Sequence, residues 1–186
     1  MRDLIFSINT TLDGCVDHTK GVPTEAIYEY FGDLMRTADT LVYGRKTYQL
    51  MVPYWPDVAR TPGDSKPAND FALAFDAVPN IVVFSKTLDK AESPKTRIVR
   101  GNLEAEILKL KQQPGKNILL GGVDLPSQLM QTGLIDEYRF VIQPVLVGEG
   151  TRLLPGISLQ EKLQLKLVDS KVLKPGFVAL RYVKNK

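Results

Sequence analysis

The sequence contains very little cysteine, histidine and tryptophan. Its 186 residues include one cysteine (Cys15), one histidine (His18) and one tryptophan (Trp55). A single cysteine forms no internal disulfide and no thiolate metal site, so a reducing cytoplasm is the expected location. A single histidine excludes a histidine-based metal cluster and a Ser-His-Asp triad. We therefore expect no resident metal ion and interpret His18 as a solvated loop residue.

Long hydrophobic runs are also missing. No apolar stretch approaches the roughly 18–20 residues that span a bilayer, and the first four residues are too polar to begin a signal peptide. The net charge is only +3, and the lysines and arginines are scattered among acids. This pattern does not predict a basic stripe for nucleic acid. We expect a small-molecule substrate as the partner, with neither a nucleic acid nor a membrane.

Apolar segments of strand length alternate with helical segments up to about residue 136, and only strands follow. The predicted strands lie at 4–8, 40–43, 80–84, 97–100, 118–120, 137–143, 163–167 and 177–183. Strand–helix alternation is typical of a parallel sheet, and the run of strands at the end predicts antiparallel pairing there. The sequence therefore predicts a mixed, mostly parallel α/β sheet in a single domain covering residues 1–186.

Three of the predicted strands end in residues that suit an anionic ligand. Glycine lets a phosphate approach backbone amides, cations and hydroxyls bind it, and open α/β sheets bind ligands at the carboxyl ends of their strands. Each segment alone is also compatible with an ordinary turn or a basic helix start. The three segments are Gly44, Arg45, Lys46 and Thr47; Ser85 and Lys86; and Gly121, Gly122, Val123, Asp124 and Leu125, in which Asp124 is expected to cap a helix.

Two predicted loops carry further candidates. Residues 10–14 form a turn that contains Asp13, and residues 53–67 are rich in proline and predict a long irregular surface loop. Loops of that length are often lids or binding loops. Tyr54 and Trp55 could cover a flat ring there, or they could pin the loop to the body of the protein.

These motifs, in this order, resemble the dihydrofolate reductase fold. Residues 11–14 (TLDG), 133–137 (GLIDE) and 144–153 (PVLVGEGTRL) resemble one branch of it. That branch is the reductase domain of the bifunctional riboflavin-biosynthesis deaminase-reductase, together with its free-standing relatives. The resemblance covers nearly the whole chain. It implies a three-layer αβα arrangement of the predicted elements.

The resemblance implies NADPH as the cofactor. Thr47 and the amides after Gly44 would meet the pyrophosphate, and the stretch from Gly121 to Leu125 would complete the cradle for the pyrophosphate and the nicotinamide ribose. The adenosine 2′-phosphate would be held by Arg45, Ser85 and Lys86. Cations and hydroxyls suit a 2′-phosphate, whereas NAD recognition usually uses an acidic residue at that place.

The resemblance also indicates the substrate side. Asp13 would face the nicotinamide and could relay a proton as hydride arrives. Its alternative role is that of a turn-forming residue. Tyr28 and Trp55 would line the substrate pocket, and a homodimer through the C-terminal strands is implied in the same way.

The implied function is NADPH-dependent reduction of a small heterocycle, as in 5-amino-6-(5-phosphoribosylamino)uracil reductases. Two alternatives stay open: a nucleotide-binding or regulatory module of the same fold without turnover, and a pteridine reductase of the dihydrofolate reductase type. In the riboflavin reductases an Asp-x-Pro-x-Leu pattern followed by Arg helps to hold the phosphoribosyl group, and residues 51–57 here read MVPYWPD. The absent pattern favours the binding module, and the complete cofactor side favours the enzyme.

Overall fold

An eight-stranded sheet runs through the computed structural model, which describes residues 1–154, 159 and 162–185. The strands are β1 (Leu4–Thr11), β2 (Ala38–Gly44), β3 (Asn80–Phe84), β4 (Thr96–Val99), β5 (Asn117–Leu120), β6 (Glu137–Gln143), β7 (Leu165–Leu173) and β8 (Phe177–Lys184). The helices are α1 (Glu25–Arg36), α2 (Arg45–Met51), α3 (Tyr54–Arg60), α4 (Lys66–Asp76), α5 (Leu103–Gln112) and α6 (Asp124–Met130). None of the helices in these described ranges has the length and apolarity to cross a bilayer.

The strands lie in the order β4-β3-β2-β5-β1-β6-β8-β7. The six strands from β4 to β6 are parallel to their neighbours, and β8 and β7 add to that sheet in antiparallel fashion. The predicted mixed sheet with antiparallel C-terminal strands is confirmed. Because the parallel strands all end at one edge, that edge collects the segments that follow β1, β2, β3 and β5.

Alternating side chains send two hydrophobic clusters to opposite faces of the sheet. In β5, Leu119 joins one cluster, whereas Ile118 and Leu120 join the other. The first cluster packs under α1, α2 and α4, and the second packs under α5 and α6. Parallel strands covered on both faces are expected to be apolar throughout, which explains the continuous apolar runs in the sequence. The layers therefore have the αβα order that the resemblance implied.

The proline-rich segment 53–67 is not the irregular loop that the sequence predicted. Residues 54–60 form α3, and α4 begins at Lys66. Pro56 lies in the first turn of α3 and Pro67 in the first turn of α4, where a backbone N–H needs no helical partner. Ser65 caps α4 by accepting a hydrogen bond from the Ala68 amide. Prolines interpreted as loop residues therefore lie in the first turns of two helices.

Two strand boundaries also differ from the prediction. β1 continues through Thr11, because it pairs with β6 as far as the partner Gln143, so part of the predicted turn is strand. The strand predicted at 163–167 begins two residues later, at Leu165, and runs on to Leu173 at the edge of the sheet. Pairing with a neighbouring strand, which a local pattern does not contain, sets both ends.

An internal ion pair fixes the start of β6 to the rest of the sheet. The Lys111 ammonium group donates to the Leu134 carbonyl at 2.9 Å and pairs with Asp136. Asp136 also accepts a hydrogen bond from the Leu4 amide at 2.8 Å. The Lys111 side chain is only 4% exposed, whereas that of Asp136 is 39% exposed. The two partners therefore depend on each other to different degrees.

This difference predicts unequal effects of removing either partner. Asp136→Ala leaves a buried ammonium group without its counter-charge and should lower the free energy of unfolding by about 2–4 kcal/mol. Lys111→Met leaves a carboxylate that water can reach and should cost less than half as much. Urea unfolding of both variants measures the difference. Equal losses would show that the burial of Lys111 does not govern the pair.

Candidate functional site

The three predicted anion-binding segments lie side by side at the carboxyl edge of the sheet. β3, β2 and β5 are consecutive in the sheet, and Gly44 is the register partner of Phe84. On the other side of β2, Val42 is the partner of Leu120. Residues that directly follow these strands therefore emerge at neighbouring positions.

The ends of β2 and β5 approach each other closely through glycine. Gly122 has φ +88°, and a Cβ added to it would lie 2.6 Å from Thr47 Oγ1. A Cβ on Gly121 would lie 2.7 Å from a ring carbon of Tyr43. Both distances are too short for a real side chain, so only glycine allows this approach. The result is a cradle in which exposed backbone faces the Thr47 hydroxyl.

The amide groups of this cradle are only partly used by the fold. The Gly121 amide donates to the Val42 carbonyl at 3.1 Å. Within the described part of the chain, the next two amides, of Gly122 and Val123, take part in no hydrogen bond. Asp124, predicted as the helix cap, is instead the first helical residue, and Val123 is the N-cap. Because α6 begins one residue earlier than the predicted cap requires, the Asp124 carboxylate lies in the first turn, where it is exposed.

Three cations at this edge have no acidic partner. Among the residues that the structure describes, Arg45, Lys46 and Lys86 form no ion pair, and all three are exposed. Arg45 only donates to Gln49 Oε1, at 3.2 Å, on its own helix. Ser85 Oγ accepts from the Leu88 amide at 2.9 Å, which leaves its proton to donate. This donor set fits phosphate oxygens, which cations and hydroxyls bind through charge-assisted hydrogen bonds.

Asp13 is bound into a network of donors rather than exposed as a free acid. Its carboxylate accepts hydrogen bonds from Thr11 Oγ1 at 2.5 Å, the Gly148 amide at 2.8 Å and the Val147 amide at 3.3 Å. Arg152 Nη1 lies 3.2 Å from the same carboxylate and also donates to the Asp13 carbonyl. The Thr11 hydroxyl and then the Gly148 amide hold the pKa of Asp13 well below its usual range. The carboxylate is therefore ionised at neutral pH, and the predicted proton relay stays a prediction.

The network joins two loops that are far apart in the sequence. The Leu12 amide donates to Val145 O at 2.9 Å and the Val16 amide to Thr151 O at 2.8 Å. Lys20 and Glu149 add an ion pair of 2.5 Å. Sequence reasoning missed the contribution of Arg152 and Gly148, although the glycine-rich turn at 148–150 was a signal that this loop needs unusual backbone angles. The two loops, residues 12–20 and 145–152, together form a wall beside the end of β1.

Tyr28 and Trp55 are in contact, as a shared pocket wall would require. Their rings are 5.7 Å apart and nearly perpendicular. Trp55 also packs against Phe71 of α4 at 4.5 Å, and the exposed ring of Tyr54 covers it at 4.9 Å. The cluster joins α1, α3 and α4, so it has a clear packing role. Both predicted substrate contacts are half-buried, and their ligand role stays a prediction.

Two clefts of about 510 Å³ lie at the opposite edge of the sheet. One is lined by residues that include Arg36, Asp39 and Lys116, and the other by residues that include Thr40 and Asn80. Thr40 and Asn80 lie near the amino ends of β2 and β3, away from the segments that follow these strands. Neither cleft contains a predicted site residue.

Comparison with known proteins supplies the family. The sequence model of the RibD C-terminal domain matches residues 2–179. The chain belongs to the RibD C-terminal domain family. This confirms the resemblance drawn from the motifs. The uncharacterized protein YyaP of Bacillus subtilis (strain 168) is 31% identical over 185 residues, which cover 97% of this chain and 94% of that protein.

Solved structures agree on the fold of this RibD C-terminal domain. A Shewanella sp. PV-4 protein named for riboflavin biosynthesis has a TM-score of 0.72 at 22% identity, and the match covers 99% of both chains. The Thermotoga maritima diaminohydroxyphosphoribosylaminopyrimidine deaminase/5-amino-6-(5-phosphoribosylamino)uracil reductase has a TM-score of 0.68 at 13% identity. That match covers 99% of this chain and 57% of the Thermotoga chain.

The network around Asp13 predicts how an Asp13→Asn variant behaves. The amide cannot replace all four acceptor contacts, so the Gly148 loop should loosen and turnover should fall, while coenzyme affinity is spared. Because the pKa of Asp13 is lowered, its bonds persist at neutral pH and are lost only as the pH falls through that lowered value. Hydrogen exchange at the Val147 and Gly148 amides and the pH–rate profile from about pH 5 to 8 test this.

The profile separates the two roles of Asp13. If Asp13 only holds the loop, the pH–rate profiles of the wild type and of Asp13→Asn have the same inflections between about pH 5 and 8. Hydrogen exchange at the Val147 and Gly148 amides is then faster in the variant. An inflection near neutral pH that disappears in the variant would show that Asp13 titrates there and relays a proton.

Proposed function

We propose that the protein is an NADPH-dependent reductase of a small heterocyclic substrate, of the type found in riboflavin biosynthesis. The observation that carries this proposal is the meeting of three strand ends at one edge, with partly exposed backbone at Gly122 and three cations that have no acidic partner among the described residues. Membership of the RibD C-terminal domain family supports the reaction class.

The ends of β2, β3 and β5 would bind different phosphate groups of the coenzyme. Arg45, Lys86 and the Ser85 hydroxyl would hold the 2′-phosphate, since they combine unpaired positive charge with a donor proton. Thr47 and the amides of Gly122 and Val123 would bind the pyrophosphate. α2 and α6 are only seven residues long, so the individual donors carry this assignment rather than a long helix dipole. NADPH, when bound, supplies the hydride.

The wall beside β1 would hold the substrate against the nicotinamide. β1 lies next to β5 in the sheet and continues from Phe6, the partner of Leu120, to Thr11, so the loop that follows β1 emerges at the same edge, beyond the Gly121–Gly122 turn. The Asp13 network fixes that loop to residues 145–152. A fixed wall excludes water and orients the acceptor carbon, which are the contributions that a hydride-transfer enzyme requires of its protein.

A binding module without turnover is the second candidate. The observation in its favour is that residues 51–57, where the reductases' substrate-holding pattern would occur, lack that pattern and run into α3, whose Trp55 packs on Phe71. Single-turnover measurement of NADPH oxidation with pyrimidine and pteridine acceptors separates the two functions. Oxidation of the bound coenzyme supports the reductase, and binding without oxidation supports the module.

The 2′-phosphate assignment predicts a selective loss of affinity. Arg45→Ala combined with Lys86→Ala should weaken NADPH by roughly 100-fold, because two charge-assisted bonds are lost. NADH, which lacks the 2′-phosphate, should change by less than about threefold. Fluorescence titration with both coenzymes gives the two dissociation constants. Lys109→Ala removes from α5 an exposed cation that forms no ion pair among the described residues, and it serves as the control. Equal losses for both coenzymes would refute the assignment.

We also infer that the protein forms a homodimer through its C-terminal strands. β7 is an edge strand of nine residues, and an unpaired edge offers its backbone to a further strand. Its apolar side chains are unusually accessible: Val172 is 76% exposed, Leu167 49% and Val168 48%. Apolar side chains on an open edge are expected to be covered in the assembled protein.

The dimer inference predicts the behaviour of a Val172→Lys variant. A charge on this strand should convert the dimer to a monomer, because an edge lysine opposes pairing between strands. Sedimentation velocity measures the mass, and Leu73→Lys, at an exposed apolar position on α4, is the matched control. A wild-type protein that sediments as a monomer would contradict the inference.

A further inference from the structure

The charges at the carboxyl edge differ sharply between its two sides. Beside β2 and β3, Arg45, Lys46 and Lys86 are exposed and form no ion pair with any residue that the structure describes. Beside β1, each cation of the two joined loops already has a carboxylate partner: Lys20 pairs with Glu149, and Arg152 with Asp13. Positive charge is therefore available to a ligand on the first side and neutralised on the second.

The wall beside β1 is negative overall. Its acids are Asp13, Asp17 and Glu149, and its cations are Lys20 and Arg152. The bonds to Thr19 hold the pKa of Asp17 below its usual range, and the bond to Lys20 does the same for Glu149. All three carboxylates are therefore charged at neutral pH. A phosphate placed here would meet uncompensated negative charge.

The neighbouring helices add no cation that is open to a ligand. The first two turns of α1, which follow the loop after β1, carry the exposed acids Glu25 and Glu29. On α3, Arg60 pairs with Asp57 of the same helix. What these helices do offer is the aromatic pair Tyr28 and Trp55. Aromatic rings bind flat apolar surfaces, and neither ring carries a positive charge to balance that of a phosphate.

We propose that the substrate of this site is a planar heterocycle that carries no phosphate group. The proposal rests on the reductase function above and narrows its substrate class. The coenzyme side of the edge holds phosphates through Arg45 and Lys86, whereas the substrate side presents aromatic rings and paired charges. A ribosyl or ribityl substituent ending in a hydroxyl fits this side, and the same substituent ending in a phosphate does not.

Matched ligand pairs test the proposal directly. Uridine and uridine 5′-monophosphate share one ring, and riboflavin and FMN share another, so each pair differs by a single phosphate. Binding is measured by isothermal titration calorimetry on protein saturated with NADP⁺, which keeps the coenzyme's phosphate sites occupied. Fluorescence of Trp55, the only tryptophan, reports occupancy beside α3. We expect the phosphorylated member to bind at least about fivefold more weakly, from repulsion by one net charge across a few ångströms of water.

A charge variant identifies the cause of the difference. Glu149→Gln removes one acid of the wall and leaves Lys20 without its partner. The ratio of the dissociation constants of the phosphorylated and unphosphorylated members of each pair, called the gap below, should therefore become smaller. Glu104→Gln removes an exposed acid from α5 and should leave the gap unchanged. A gap that survives Glu149→Gln at full size would overturn the electrostatic argument.

The remaining outcomes are equally decisive. Equal or tighter binding of the phosphorylated member would overturn the proposal, and so would failure of all four compounds to bind. Failure of the reductase function is recognised separately, as absence of NADPH binding or oxidation. In that case the ligand pairs are titrated into the Arg45→Ala, Lys86→Ala variant, which lacks the two cations of the proposed 2′-phosphate site. Any preference for the unphosphorylated member then reports on the rest of the site.

Discussion

The close approach of the β2 and β5 ends is the constraint on which the rest of the site depends. A Cβ at Gly122 would lie 2.6 Å from Thr47 Oγ1, so the two strand ends can meet only with glycine at this position. The approach is useful because β2 and β5 are neighbours in a parallel sheet and both end at the same edge. Sheet order, rather than any one motif, turns three ordinary strand–turn–helix connections into one surface with exposed amides, a hydroxyl and cations.

Electrostatics then divides that surface in two. Beside β2 and β3 the cations have no carboxylate partner in the part of the chain that the structure describes, which costs little in solvent and leaves them available to bind phosphates. Beside β1 the charged groups bind one another and stabilise the loops, since the Asp13 carboxylate already binds Thr11, Gly148 and Arg152. Two acids of the 133–137 segment are paired within the protein in the same way. Asp136 pairs with Lys111, and Glu137 pairs with Arg139 and Arg181. Both acids therefore have a structural role in this fold.

Much of the architecture could be predicted from the sequence, because strands buried on both faces leave continuous apolar runs; β3 and β6 have the predicted bounds. The motifs at the strand ends also lie where parallel pairing requires. What the sequence could not supply were properties set by distant partners. The proline-rich segment forms α3, whose Trp55 packs against Phe71 of α4, and the role of Asp13 depends on amides more than 130 residues away. Local patterns contain neither fact.

A crystal structure of the protein grown with NADP⁺ tests the central claim most directly. The account predicts the 2′-phosphate within hydrogen-bonding distance of Arg45 and Lys86, and the pyrophosphate against Gly122 and Thr47. Coenzyme bound in the clefts at the opposite edge of the sheet, or these three strand ends left empty at saturating coenzyme, would contradict it.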